Sequence, residues 1–220
     1  NDLISRIPFL AANLLSLALF YILVQKWLNQ KSAVLSTSLL AIVGFHVAFS
    51  RVVQYQSLVM MWGIGALLAA TRYKTSGNLF DMLLAVSLLA AGLLSHYDAV
   101  LFAPAVLALF VAHWIGIQQI PWKNLSIATA AGLGLLAIFY LPFVFGPDFQ
   151  NTLGYLLNER VGTESGGSLL DVWQMITFYN SSWFIVGMIG FAVAGLIALL
   201  RSPQSHILKL AILLDRKSVV

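Results

Sequence analysis

Seven stretches of this chain are long and apolar enough to be membrane helices, and polar residues are confined to the short breaks between them. A spanning helix needs about 20 apolar residues, with a range of roughly 17–25. Residues 7–28, 33–49, 56–71, 79–94, 99–114, 126–145 and 183–200 meet or approach that length. An apolar run begins again at 207–214 and reads as the start of an eighth span. Only 9% of the residues are charged and 60% are hydrophobic, whereas soluble domains carry about 25% charged residues. Such a chain cannot keep a water-facing surface, so the fold class is all-α integral membrane: about seven transmembrane helices plus a truncated eighth.

The breaks have readable chemistry. Arg6 and Pro8 open the first span, where proline loses no helical hydrogen bond. Ser32 is the expected cap of the second span. Asn78 with Asp81 reads as a capping pair for the fourth, with Asp81 held by the positive helix terminus. Pro104 is expected to kink the fifth span, and Pro142 to break the sixth near its end. The segment 146–179 is the one long non-spanning stretch. It is expected to form an outer loop with a short surface helix at 152–161, a flexible stretch at 162–167, and an interfacial helix at 169–179. Ser168 and Asp171 cap that last helix. No internal repeat is visible.

Basic residues near helix ends orient the chain, because cytoplasmic loops collect Lys and Arg. Alternating the spans places Lys26, Lys31, Arg72, Lys74, Lys123, Arg201 and Lys209 on one side, against Arg6, Arg51 and Arg160 on the other. The first side is therefore expected to be cytoplasmic. Asp2, Asp98, Asp148, Glu159, Glu164 and Asp171 fall on the opposite, outer side. The charge of +4 is dispersed around apolar runs, which is an orientation signal and not a nucleic-acid footprint. With no cysteine and no two histidines at helical ligand spacing, neither thiolate chemistry nor a metal site is expected.

Two polar islands stand out on the outer side. The first is Phe49-Ser50-Arg51-Val52-Val53-Gln54-Tyr55-Gln56-Ser57, and the second is Ser95-His96-Tyr97-Asp98. A guanidinium at a membrane boundary is costly to desolvate and usually faces a cavity or an anion. Arginine is always charged and binds phosphate bidentately, and Tyr55, Gln56, His96 and Tyr97 carry groups that hydrogen-bond a sugar or phosphate. Blander readings stand beside these. Arg51 can snorkel from a helix end, Tyr55 and Tyr97 fit an aromatic belt, and His96 with Asp98 fits an ordinary polar turn. Inside a span, His46 reads as a satisfied interior histidine.

Arg6-Ile7-Pro8-Phe9-Leu10, Phe49-Ser50-Arg51 with Tyr55-Gln56-Ser57-Leu58, and Ser95-His96-Tyr97 resemble the polyprenyl-phosphate-sugar-dependent glycosyltransferases of the type C fold. The nearest branch is the protein O-mannosyltransferase-like and aminoarabinose-transferase-like one, and the similarity runs from about Arg6 to Leu200. It implies a membrane enzyme that moves a sugar from a polyprenyl phosphate to a lipid, glycan or protein acceptor at the outer face of a bacterial or archaeal plasma membrane. No cofactor beyond the lipid-linked donor is implied. Arg51 matches the family's phosphate-facing basic residue, while Gln54 stands where many relatives carry a second arginine. The donor and substrate site is thus expected at Arg51, Tyr55, Gln56, His96, Tyr97 and Asp98, with the acidic catalytic base upstream of Asn1.

Residues 1–214 are accordingly read as a fragment of one such domain, inactive by itself. Asp215-Arg216-Lys217-Ser218-Val219-Val220 is read as a translated sequencing adapter, since GAT CGG AAG AGC GTC GTG encodes it. The alternative is a transporter or lipid flippase, which would show internal repeats and discontinuous helices near mid-membrane; the sequence shows neither, and its breaks lie near one face.

Overall fold

The computed structural model describes residues 2–155, 173–174, 177–178 and 181–201. Every regular element among them is helical. In chain order these are α1 (Asp2–Trp27), α2 (Gln30–Ile42), α3 (Gly44–Ser50), α4 (Gln56–Ser76), α5 (Leu79–Ser95), a 3₁₀ segment (Tyr97–Phe102), α6 (Ala103–Ile117), α7 (Trp122–Val144), α8 (Asp148–Tyr155) and α9 (Ser182–Arg201). The chain divides into two compact units, Asn1–Ser165 and Gly166–Val220. In the second unit α9 is a 20-residue apolar helix. The expected eighth span, the capping pair Ser168 and Asp171, the interfacial helix apart from 173–174 and 177–178, Glu159, Arg160 and the hexapeptide 215–220 lie outside the described residues.

In the first unit α4 is the central element and packs on α1, α5 and α6, while α7 packs on the far side of α5. Its inward positions are small: Ala66, Ala69 and Ala70 belong to one buried cluster with Met82 and Ala85 of α5 and Val106 and Phe110 of α6, which continues through α5 to Ala128 of α7. Lipid is as apolar as leucine, so membrane helices associate through close van der Waals contact, which small side chains permit. Gly63 takes this furthest, since a Cβ there would collide with the Phe102 ring. Tyr73 is fully buried, and its hydroxyl accepts a bond from Trp114 Nε1 at 3.1 Å.

Three described helical stretches are long and apolar enough to cross a membrane: Ile4–Trp27, Tyr97–Ile117 and Trp122–Val144. The count becomes four if α2 and α3, bent by 64° at Val43, form one broken span. That bend corrects the expectation of an unbroken helix over 33–49. Two further expected spans differ for physical reasons. With 21 residues, α4 is long enough but carries Gln56, Arg72 and Lys74; enclosed by other helices, it has less need of a lipid-soluble surface. At 17 residues α5 is short.

The breaks correct several local expectations. Asn29, not Ser32, caps α2: its Oδ1 accepts the Ser32 N–H at 2.9 Å. Because α1 begins at Asp2, Pro8 lies inside the helix and not in its first turn. Pro104 does not kink a span but sits in the first turn of α6, and the 3₁₀ segment supplies the preceding residues. Asn78 does cap α5, accepting the Phe80 N–H at 3.0 Å. Asp81, however, turns toward α4: Ser76 Oγ donates to its Oδ2 at 2.8 Å, and Arg72 Nη2 lies 3.2 Å from its Oδ1 without hydrogen-bond alignment. Gly77 closes α4 at φ 64°, a left-handed conformation, with its N–H on Tyr73 O at 2.8 Å.

Candidate functional site: two polar turns at one end of the bundle

The site residues sit where α3 turns into α4 and where α5 gives way to the 3₁₀ segment. The first turn closes on itself. Arg51 N–H donates to Ala48 O at 3.1 Å, Gln54 N–H to Val52 O at 3.0 Å, and Ser57 Oγ to Phe49 O at 3.0 Å. These bonds pin both ends of the loop and leave residues 51–54 exposed at its tip. Arg51 is the C-cap of α3, and among the described residues its guanidinium makes no ion pair.

The second turn is built around His96. Its N–H donates to Gly92 O at 2.9 Å, ending α5, and its extended backbone starts the 3₁₀ segment. Its Nδ1 accepts the Asp98 N–H at 3.2 Å and also lies 3.1 Å from Asp98 Oδ2. These contacts need opposite states of one nitrogen. A bare Nδ1 takes the backbone N–H, whereas a protonated Nδ1 turns to the carboxylate. The side chain of His96 is 16% exposed and that of Asp98 44%.

Aromatic contacts join the two turns. Tyr55 stacks on the His96 imidazole with centroids 3.6 Å apart and planes within 5°. Tyr97 covers the same ring at 3.9 Å and 36°. Opposite this end, Trp27 Nε1 donates to Thr71 Oγ1 at 2.9 Å, and His113 Nδ1 lies 2.9 Å from Lys74 O. Lys26, Arg72 and Lys74 thus gather at one end of the bundle and the two polar turns at the other.

Beneath Tyr55 lies a cleft of about 300 Å³. Tyr55, Gln56 and Asp98 give it a polar rim, and Phe45, Val59, Met60, Leu101 and Phe102 an apolar wall. Of the six expected site residues, three line the cleft, His96 and Tyr97 stack at its edge, and Arg51 stands outside its lining on the loop tip. The apolar wall was missed by sequence reasoning, because its residues look like any lipid-facing ones. His46 is a further difference: it is 7% exposed, and its Nε2 is buried without a partner among the described residues, so it is not the satisfied histidine expected.

Apolar helices packed through small residues, with a cleft of polar rim and apolar wall at one end, define an integral membrane protein. The chain belongs to the dolichyl-phosphate-mannose-protein mannosyltransferase family, whose model matches residues 1–144. That makes it a membrane glycosyltransferase of the type C fold. No curated protein and no solved structure matches it.

Proposed function

We propose that this protein transfers a sugar from a polyprenyl-phosphate donor to a lipid, glycan or protein acceptor at the outer face of a bacterial or archaeal plasma membrane. The cleft is the observation that carries the reading, because a lipid-linked sugar is polar at one end and apolar at the other, as the cleft is. Its apolar wall takes the first part of the prenyl chain, and the rim of Tyr55, Gln56 and Asp98 takes the sugar and phosphate. His96 and Tyr97 hold the rim in place, and Arg51 swings from the loop tip to the phosphate.

In the reaction the acceptor oxygen forms a bond to the anomeric carbon while the bond from that carbon to the phosphate oxygen breaks. A carboxylate takes the acceptor's proton, and the electron pair leaves with polyprenyl phosphate. Attack opposite the leaving group inverts the anomeric centre. Arg51 stabilises the charge that gathers on the departing phosphate, and no cofactor beyond the sugar donor is required. About seven membrane spans make up the fold, and the two polar turns of the first unit carry the site.

Arg51→Ala in the full-length protein tests this reading. Transfer from a polyprenyl-phosphate sugar should fall at least ~100-fold, the scale seen when an electrostatic stabiliser is removed, with membrane insertion unchanged. Full activity in the variant would remove Arg51 from the site. The bend at Val43 is the kind of discontinuity a transporter uses; uptake or flipping of a lipid-linked sugar without glycosyl transfer would favour that reading.

A further inference from the structure

A second groove, of about 260 Å³, lies along α4 between α1 and α5. Met61, Gly65, Leu68 and Arg72 form its floor at helical-face spacing. Leu15 and Leu19 of α1 make one wall, and Leu84 and Leu88 of α5 the other. Gly65 keeps the groove open, since a Cβ there would already touch both walls, 3.4 Å from Leu88 Cδ1 and 3.8 Å from Leu19 Cδ1. From Met61 to Arg72 the floor extends about 16 Å, at ~1.5 Å per residue. Spread over that length, the volume gives a channel roughly 4 Å across, where an α-helix with its side chains measures about 10–12 Å. Such a channel suits one unbranched hydrocarbon chain.

Charge appears only at the last turn of the groove. The Arg72 side chain is 52% exposed, and its Nη2 lies 3.2 Å from Asp81 Oδ1 without hydrogen-bond alignment. A guanidinium carries five N–H donors, so this contact leaves most of them uncommitted. On α1, Lys26 follows Leu15 and Leu19 by eleven and seven residues, on the same helix face. It is exposed and makes no ion pair among the described residues. The bond from Trp27 Nε1 to Thr71 Oγ1, at 2.9 Å, joins the sequence neighbours of the two cations and so holds Lys26 and Arg72 at one level. Two cations and the Asp81 carboxylate leave one net positive charge, which a single phosphodiester balances. Basic pockets between membrane helices bind anionic lipid headgroups in this way.

We propose that the groove holds one acyl chain of an anionic phospholipid from the leaflet at the basic end of the bundle, with the lipid phosphate between Lys26 and Arg72. The chain wedges between α1 and α5, each of which packs on α4. This site lies at the opposite end from the cleft and does not depend on the proposed transferase activity.

Lipid retention by the full-length protein tests the site. Delipidated in detergent, titrated with phosphatidylglycerol and read by native mass spectrometry, the protein should retain this lipid at least about tenfold more strongly than diacylglycerol with the same chains. Inorganic phosphate, which lacks the chain, should not displace it. Lys26→Gln should weaken retention about fivefold, the effect of one basic group at headgroup level. Gly65→Leu, which fills the channel, should abolish it; a thermal melt reports whether this variant folds, and if it does not, Lys26→Gln decides. Arg51→Ala, at the other end, should leave retention unchanged. Equal retention of phosphatidylglycerol and diacylglycerol, full retention by Lys26→Gln or by folded Gly65→Leu, or loss in Arg51→Ala overturns the proposal. So does a density map, recorded in phosphatidylglycerol nanodiscs, in which a helix of the full-length chain or of a second copy occupies the groove; tail density along Met61–Arg72 is the expected result.

Discussion

Tyr55 and His96 come from parts of the chain 41 residues apart, yet their rings lie face to face. Their stack holds the polar turns together, so Tyr55→Leu should loosen the cleft rim without unfolding the bundle. A fewfold to tenfold rise in donor KM is expected, in line with about 0.5–1.5 kcal/mol for an aromatic pair, and Tyr55→Phe, which keeps the stack and loses only the rim hydroxyl, should show a smaller rise. Asp81 supports a different kind of prediction. It is 4% exposed and takes the Ser76 hydroxyl beside Arg72, whose side chain is about half exposed. Asp81→Ala should destabilise the protein by about 1–2 kcal/mol, mostly through the lost buried bond and little through the screened ion pair. Reversible unfolding in mixed micelles measures this, and donor KM should not change because Asp81 is at the far end of the bundle.

The elements show why some of this architecture is legible in sequence and some is not. Polar islands announce themselves: a charge such as Arg51, or a cluster such as Ser95-His96-Tyr97-Asp98, is conspicuous between apolar runs because burying it is costly. That the two islands touch depends on α4 and α5 being antiparallel neighbours, which alternation of spans already implied. The bend at Val43 was not visible, because Gly44 was the only weak point in a run with no proline. Nor could the cleft wall be seen, since Phe45 and Leu101 are as apolar as residues facing lipid. Asp81 does stand in the first turn of α5 as read, and its added contact to the end of α4 was hidden because a local capping pattern and a contact to the neighbouring helix require the same residue type. At this scale Gly63→Leu is a sharp test. With no room beside the Phe102 ring, it should force α4 away from the 3₁₀ segment, distort the cleft and abolish donor binding. Binding of a polyprenyl-phosphate analogue measures the loss, and Gly63→Ala should show it in milder form.

For the whole molecule the decisive property is sidedness. Lys26, Arg72 and Lys74 lie at one end and the polar turns at the other, which matches the positive-inside pattern only if the turns face outward. The chain has no cysteine, so any introduced one is unique. Val52→Cys should react with an impermeant maleimide added outside intact cells, and Thr75→Cys only after permeabilisation. The reverse pattern would turn the bundle over and put the cleft in contact with the cytoplasm.

The stack between Tyr55 and His96 also bears on how the protein moves. Fastened ring to ring, the two turns behave as a single clasp: whatever draws the Arg51 loop outward must tug the end of α5 after it. A ligand that tightens around the guanidinium would then be felt beyond its own loop, at the far jamb of the cleft.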